Sequence, residues 1–140
     1  MLVRLIYASR VGESFGEGDL ATVLRQSRQH NPANGITGLL CHADGVFIQV
    51  LEGGRAAVNT LYNRVVGDPR HRDVTLLAYT EVAERRFAGW TMGQVNLQRM
   101  NPGLVLKYGA SAKLDPYAMS GAAIASLFDE LIASGAIVCN

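Results

Sequence analysis

Residues 36–42 and 46–52 are two apolar, β-prone runs separated only by Ala43-Asp44-Gly45, and so short a connection containing glycine joins antiparallel neighbours. This hairpin fixes the middle of the fold, and its flanks constrain the rest. Upstream, residues 2–9 (LVRLIYAS) read as a strand that breaks at Gly12. A helix follows, with Asp19 as N-cap, Leu20, Leu24 and Ser27 on one face with Val23 beside them, and Asn31-Pro32 as the stop. Downstream, Gly53-Gly54 releases the chain into a second helix whose stripe is Val58, Leu61 and Val65 and whose stop is Gly67-Asp68-Pro69. Strands are expected at 74–82 and 90–97. The order β-α-β-β-α-β-β predicts an α+β ferredoxin-like sandwich with both helices on one face of the sheet.

After Asn101-Pro102 the pattern changes to short helical pieces at 104–108 and 121–133, joined by a polar linker through Lys113–Pro116. The division expected is a core at 1–97 and a helical extension at 98–140 packed on the other sheet face of the same domain. The extension's Ile124, Leu127, Phe128, Leu131 and Ile132 exceed what one sheet face needs, which points to self-association. Thirteen basic residues against twelve acidic ones leave no field to hold a nucleic acid. No stretch suits a membrane span, and the N-terminal apolar run is too short for a secretory signal. Cys41 and Cys139 match no zinc or redox spacing and read as reduced thiols of a cytoplasmic protein. His30, His42 and His71 are scattered, which argues against a metal site.

Several polar residues interrupt apolar rows. Strand alternation puts Gln49 on one face with Phe47 and Leu51. Either that face is exposed, or the amide is buried and needs a partner, since a buried amide without one costs about 1–3 kcal/mol. Tyr7 lies in the row Val3, Leu5, Tyr7, Ser9, as an amphipathic core residue or as a partner for Gln49 across neighbouring strands. On the first helix Leu20, Leu24, Ser27 and Asn31 follow at intervals of four, three and four; Asn31 serves equally as a helix stop. Trp90 and Met92, two apart in an expected strand, share a face, either as core filler or as contacts that exchange if the strand shifts by two residues. An apolar slot between two helices, floored by hydroxyl and amide, suits a flat heteroaromatic ligand with polar edges.

Y-A-S at 7–9, S-R-Q-H-N-P-A-N-G-I-T-G-L-L at 27–40, F-I-Q-V-L-E-G at 47–53, D-P-R-H at 68–71 and R-R-F-A-G-W-T-M at 85–92, in order over residues 1–97, resemble the BLUF family of blue-light receptors. L-V-L-K-Y at 104–108 and D-P-Y-A-M at 115–119 are similar to the tails of short, stand-alone members. The resemblance implies a noncovalently held flavin, usually FAD, with FMN or riboflavin as alternatives. It makes Tyr7 and Gln49 the switching pair and Asn31 a ligand of the ring edge, with Ser27 and His30 lining the same pocket. Some relatives have asparagine where His30 stands. Val23 and Val65 take the positions that sandwich the ring, where many members carry isoleucine, so this pocket is slightly looser. Arg64 is assigned to phosphate, and Asp68, Arg70 and His71 to the ring edge or the adenosine part.

The family mechanism implied is that Tyr7 gives an electron and a proton to the excited flavin and both return. Gln49 remains rotated or as the imidic tautomer, and absorption shifts to the red. Trp90 and Met92 then exchange inward and outward places, and the C-terminal helices relay the change to another copy or to a response protein. That output is a population shift, so the chain reads as a sensor and not as an enzyme.

Two rival readings stand beside this one. Gly16-x-Gly18-x-x-Ala21, with Asp44 about 20 residues on, imitates a dinucleotide fingerprint. That fingerprint needs a parallel β-α-β unit with a tight first turn, and here several residues separate strand from glycines. The other rival is a cofactor-free interaction module, which colour distinguishes from a flavoprotein.

Overall fold

A computed structural model of the protein describes residues 1–12, 18–96, 100–133, 137 and 138. Strands β1 (Leu2–Val11), β2 (Thr37–Ala43), β3 (Val46–Gly54), β4 (His71–Val82), β5 (Gly93–Asn96) and β6 (Ile137–Val138) form one sheet in the order β4-β1-β3-β2-β5-β6. The first four have the antiparallel order of a ferredoxin-like sandwich, and β5 extends it by pairing parallel to β2. Between them lie α1 (Asp19–His30) and α2 (Arg55–Val66), and α3 (Pro102–Tyr108) and α4 (Gly121–Ala133) follow.

The β2–β3 hairpin turns through Asp44 and Gly45, both left-handed at φ 54° and 76°. Two such residues give the turn whose twist matches the flanking strands, and glycine takes one position without strain. From this turn the pairing register puts Tyr7 opposite Gln49 and Leu5 opposite Leu51. Strand alternation then sorts the sheet's apolar residues into two cores. On one face Val3, Leu5, Tyr7, Leu40, Phe47 and Leu51 meet Leu24 of α1 and Val58 of α2. On the other, Ile6, Leu39, Ile48 and Val50 meet Ile124, Leu127, Phe128 and Leu131 of α4.

Three expectations need correction, and the topology bears on the dinucleotide rival as well. The N-cap of α1 is Gly18, left-handed at φ 90°, and Asp19 is the first helical residue; there its charge still favours the positive end of the helix. The β1-α1-β2 segment makes no parallel pair, because β3 lies between the two strands, so the dinucleotide unit is not formed; Gly16 itself lies outside the described residues, as do Leu97 and Cys139. The five apolar residues named on the extension are no surplus: Ile124, Leu127, Phe128 and Leu131 are at most 2% exposed, and Ile132 packs against the same core. That removes the argument offered for self-association.

The third correction concerns the last expected strand, which starts at Gly93 and not at Trp90. Trp90 is half-buried on the α4 side, with its ring 6.2 Å from Phe87, whereas Met92 is fully buried in the core under α1 and α2. They therefore share neither a strand nor a face. The cause is long-range bonding of this segment's carbonyls. Trp90 O accepts from Gly38 N at 3.0 Å, Thr91 O from Asn31 Nδ2 at 3.3 Å, and Met92 O from Arg28 Nη2 at 3.2 Å. Two of the three donors are side chains of α1 and of its C-cap Asn31, which hold residues 91 and 92 by bonds no ladder partner makes.

Candidate functional site

A cleft of about 120 Å³ opens between α1, α2 and the sheet. Its floor is Tyr7 and Gln49, 1% and 6% exposed. The Tyr7 hydroxyl donates to Gln49 Oε1, and Gln49 Nε2 donates to Met92 Sδ at 3.4 Å. The buried-amide alternative therefore holds, and both ends of the amide are engaged.

Helix α1 contributes Val23, Gln26, Ser27, His30 and Asn31, residues three or four apart that recur on one helical face. Helix α2 contributes Leu61, Arg64 and Val65, the turn after it contributes Asp68 and Arg70, and β4 opens with His71. Every residue expected to hold the cofactor thus lines one cleft. Trp90 does not line it, and Met92 touches its floor from within the core through Gln49. Gln26 and Leu61 were not foreseen as lining. Leu61 already belonged to the α2 stripe, and Gln26 lies between Val23 and His30 at helical spacing, so both were recoverable from period alone.

The electrostatics keep the floor neutral. Burial, reinforced by Tyr62 and Asp68, raises the Tyr7 phenol well above its ordinary value, so it stays a protonated donor. Burial also lowers the His71 imidazole against the pull of Asp68. His71 Nδ1 and the fully buried Ser9 hydroxyl share a 2.7 Å hydrogen bond. Asp68 is held below the usual carboxylate range by its bonds from Arg70, whose Nη2 lies 2.7 Å from Oδ2. Arg70 Nη1 also reaches Gln26 Oε1 at 3.4 Å, bridging the cleft mouth. Arg64 is exposed at the rim.

A second hollow of about 220 Å³ adjoins the first, sharing His30, Asn31, Leu61 and Arg64 and adding Asn34 and Thr60. Together they offer aliphatic walls from Val23, Leu61 and Val65, a hydrogen-bonding floor, and a guanidinium beside a polar annexe. This donor set fits a flavin: a flat ring with polar edges in the slot and a polar or phosphorylated chain along the rim. Among the described residues no cluster of histidine, cysteine or carboxylate could hold a metal, and no helix is long and apolar enough to cross a membrane.

The family described as sensors of blue-light using FAD, BLUF, matches residues 2–93. Photoactivated adenylate cyclase subunit beta of Euglena gracilis is 38% identical over 92 residues, 65% of this chain and 11% of that protein. The chain thus spans about a ninth of that relative's length. Among solved structures, the photo-activated state of BlsA is 30% identical with a TM-score of 0.86, covering 94% of this chain and 95% of that one. The dark state of BlrB, a BLUF protein, is also 30% identical, with a TM-score of 0.79 and 96% of both chains covered.

Proposed function

This chain belongs to the BLUF family of blue-light sensors, and on that premise we propose that the cleft holds FAD noncovalently and that light rearranges the hydrogen bonds of Tyr7 and Gln49. FMN and riboflavin present the same ring and are the alternatives for the bound flavin. The observation that carries this reading is the chain Tyr7 hydroxyl, Gln49 amide, Met92 sulfur on the cleft floor. Asn31 would meet the ring edge, with Ser27 and His30 lining the same pocket, Val23 and Val65 would take its two faces, and Arg64 the phosphate. Asp68, Arg70 and His71 would meet the ring edge or the adenosine part.

Bound there, a flavin supplies blue absorption and, once excited, a strong oxidant; the remaining chemistry belongs to the protein. Tyr7 is buried and neutral, so an electron leaving it alone would strand a charge in a low-dielectric core. Its hydroxyl proton is directed at Gln49 Oε1, so the oxidation and the proton's departure are coupled along that hydrogen bond. When the electron and proton return, Tyr7 is restored and Gln49 has the chance to settle differently. A rotated amide would present Nε2 to Tyr7 and Oε1 to Met92 Sδ, an acceptor facing an acceptor. An imidic tautomer would likewise change which end donates. Rotation removes the donor from Met92 and the tautomer leaves Nε2 a single N–H to offer it, so either outcome alters the hold on Met92 and on the segment from Trp90 to Met92.

The output would be a changed contact and not a catalysed reaction. Residues 1–97 would be the flavin unit and 98–140 the extension that reads it, acting in the cytoplasm on another copy or on a response protein. The deciding measurement is a visible spectrum before and after blue illumination, followed by chromatography of the flavin released on denaturation. A yellow preparation that shifts reversibly to the red is expected, and a colourless one would sink the reading in favour of a cofactor-free interaction module.

A further inference from the structure

Glu52 is a fully buried carboxylate outside the flavin cleft, and the photochemistry proposed above makes no use of it. Three donors saturate it: Arg4 Nε at 2.7 Å and Arg86 N at 3.0 Å on Oε2, and Phe87 N at 2.6 Å on Oε1. A buried ion pair adds little to bare stability that an apolar residue of similar size would not, so what Glu52 contributes is sought in the geometry it holds. What Glu52 holds is the backbone at residues 86 and 87, six and five residues before Met92. The next residue back is fastened too: Arg85 Nη1 bonds Glu52 O at 3.2 Å and Thr37 Oγ1 at 3.0 Å, and Arg85 Nη2 bonds Gly35 O at 2.6 Å.

The segment so anchored touches both sheet faces. Its far end, Met92, receives the Gln49 amide, while Phe87 and Trp90 lie in the core with α4 and Arg86 Nη1 pairs with Asp129 of α4 at 3.3 Å. The anchors differ in strength. Beyond Trp90 the carbonyls of Thr91 and Met92 rest on bonds of 3.2–3.3 Å from the side chains of Asn31 and Arg28, whereas the Glu52 end is short, buried and charge-assisted. A displacement at Met92 would therefore loosen the weak end first and be resisted at Glu52.

We propose that Glu52 is a positioning residue, the fixed pivot of the 86–92 segment, which converts a change at Met92 into a change at α4. This rests on the light-driven rearrangement argued above. The carboxylate acts through Phe87, Trp90 and Arg86, and does not touch the cleft.

The test is Glu52→Gln in the full chain, read by two signals in parallel: the red shift, and the light-minus-dark difference in hydrogen exchange of the amides at 121–133. Glutamine presents one carbonyl oxygen and an NH2 group, so at least one of the three donors loses its acceptor. Expected is a red shift of wild-type wavelength with the α4 difference lost. Val50→Ala, a cavity in the same sheet face, serves as the control for bare destabilisation, and it should keep the α4 difference. Arg86→Ala, altering a half-exposed side chain, should weaken the difference without touching the red shift, and it decides the matter if Glu52→Gln does not fold. An undiminished α4 difference in Glu52→Gln, or in Arg86→Ala where Glu52→Gln does not fold, or an equal loss in Val50→Ala, would overturn the proposal. So would a wild-type protein that shifts to the red with no change at α4. A wild-type protein with no red shift would instead overturn the photochemical reading beneath it.

Discussion

The Tyr7 hydroxyl donates to Gln49 Oε1 between residues that are register partners on β1 and β3, so a polar pair sits among the apolar side chains of this sheet face. Its neighbours leave it little freedom: the Tyr62 ring lies 5.6 Å from Tyr7 and Met92 Sδ takes the other end of the amide. Tyr7→Phe keeps the ring and its packing and removes the donor and the redox-active hydroxyl together. The variant should bind flavin, remain yellow and show no red shift, while losing about 1–3 kcal/mol of stability for the unpartnered Gln49 oxygen. Spectra with and without blue light, beside urea midpoints, check both parts. A normal photocycle would remove Tyr7 from the mechanism.

Met92 and Trp90 should behave differently when replaced, because the structure puts them on opposite faces. Met92→Ala empties a fully buried site beside Gln49, so it should cost about 2–5 kcal/mol and alter the lit-state lifetime. Trp90→Phe leaves every neighbour of Gln49 in place and should keep the red shift at wild-type wavelength. Recovery kinetics after a blue flash measure the contrast, and identical effects from both substitutions would contradict it.

Tyr7 and Gln49 were legible because a strand repeats every two residues, and one polar side chain in an apolar row is visible without a structure. The α1 wall was legible for the same reason at helical period. The segment from 86 to 92 was not. Its path is set by Glu52, Arg28, Asn31 and Gly38, all distant in sequence, and local alternation from Trp90 to Leu97 mimics a strand that begins only at Gly93. The apparent surplus on α4 failed likewise, since Phe87, Trp90 and Leu104 widen the core that α4 covers, and no periodicity announces that width. Gly18 against Asp19 was a one-residue error at a helix start, where glycine's left-handed conformation outweighed the better side-chain cap.

Gly121 begins α4 directly against β4: a Cβ there would lie 2.2 Å from Leu77 O and 3.1 Å from the Ala78 methyl. The helix cannot seat with any side chain at this position unless its first turn lifts from the sheet. Gly121→Ala should therefore cost about 1–3 kcal/mol as overpacking, despite alanine's better helix propensity. Exchange of the α4 amides should quicken, and flavin affinity should be unchanged because the cleft lies on the other face. A stabilised variant would show that α4 does not dock as described.

Stability should also fall on mild acidification, and His71 gives the sign. Burial lowers its imidazole below the ordinary 6.5, with Asp68 opposing. The unfolded chain therefore takes up a proton at higher pH than the folded one does. The contribution is complete above the unfolded value and is lost as pH falls through the folded value. His42 is lowered by burial as well and adds in the same direction. Asp68, lowered by Arg70, contributes in a separate window below the ordinary carboxylate value. Urea midpoints between about pH 7.5 and 5.5, the range bracketing an ordinary histidine, should decline in the wild type. His71→Gln offers Ser9 a neutral partner and should flatten the decline to the share left by His42. A midpoint that rises on acidification, or a His71→Gln slope equal to wild type, would mean that the imidazole is not held neutral by the cleft.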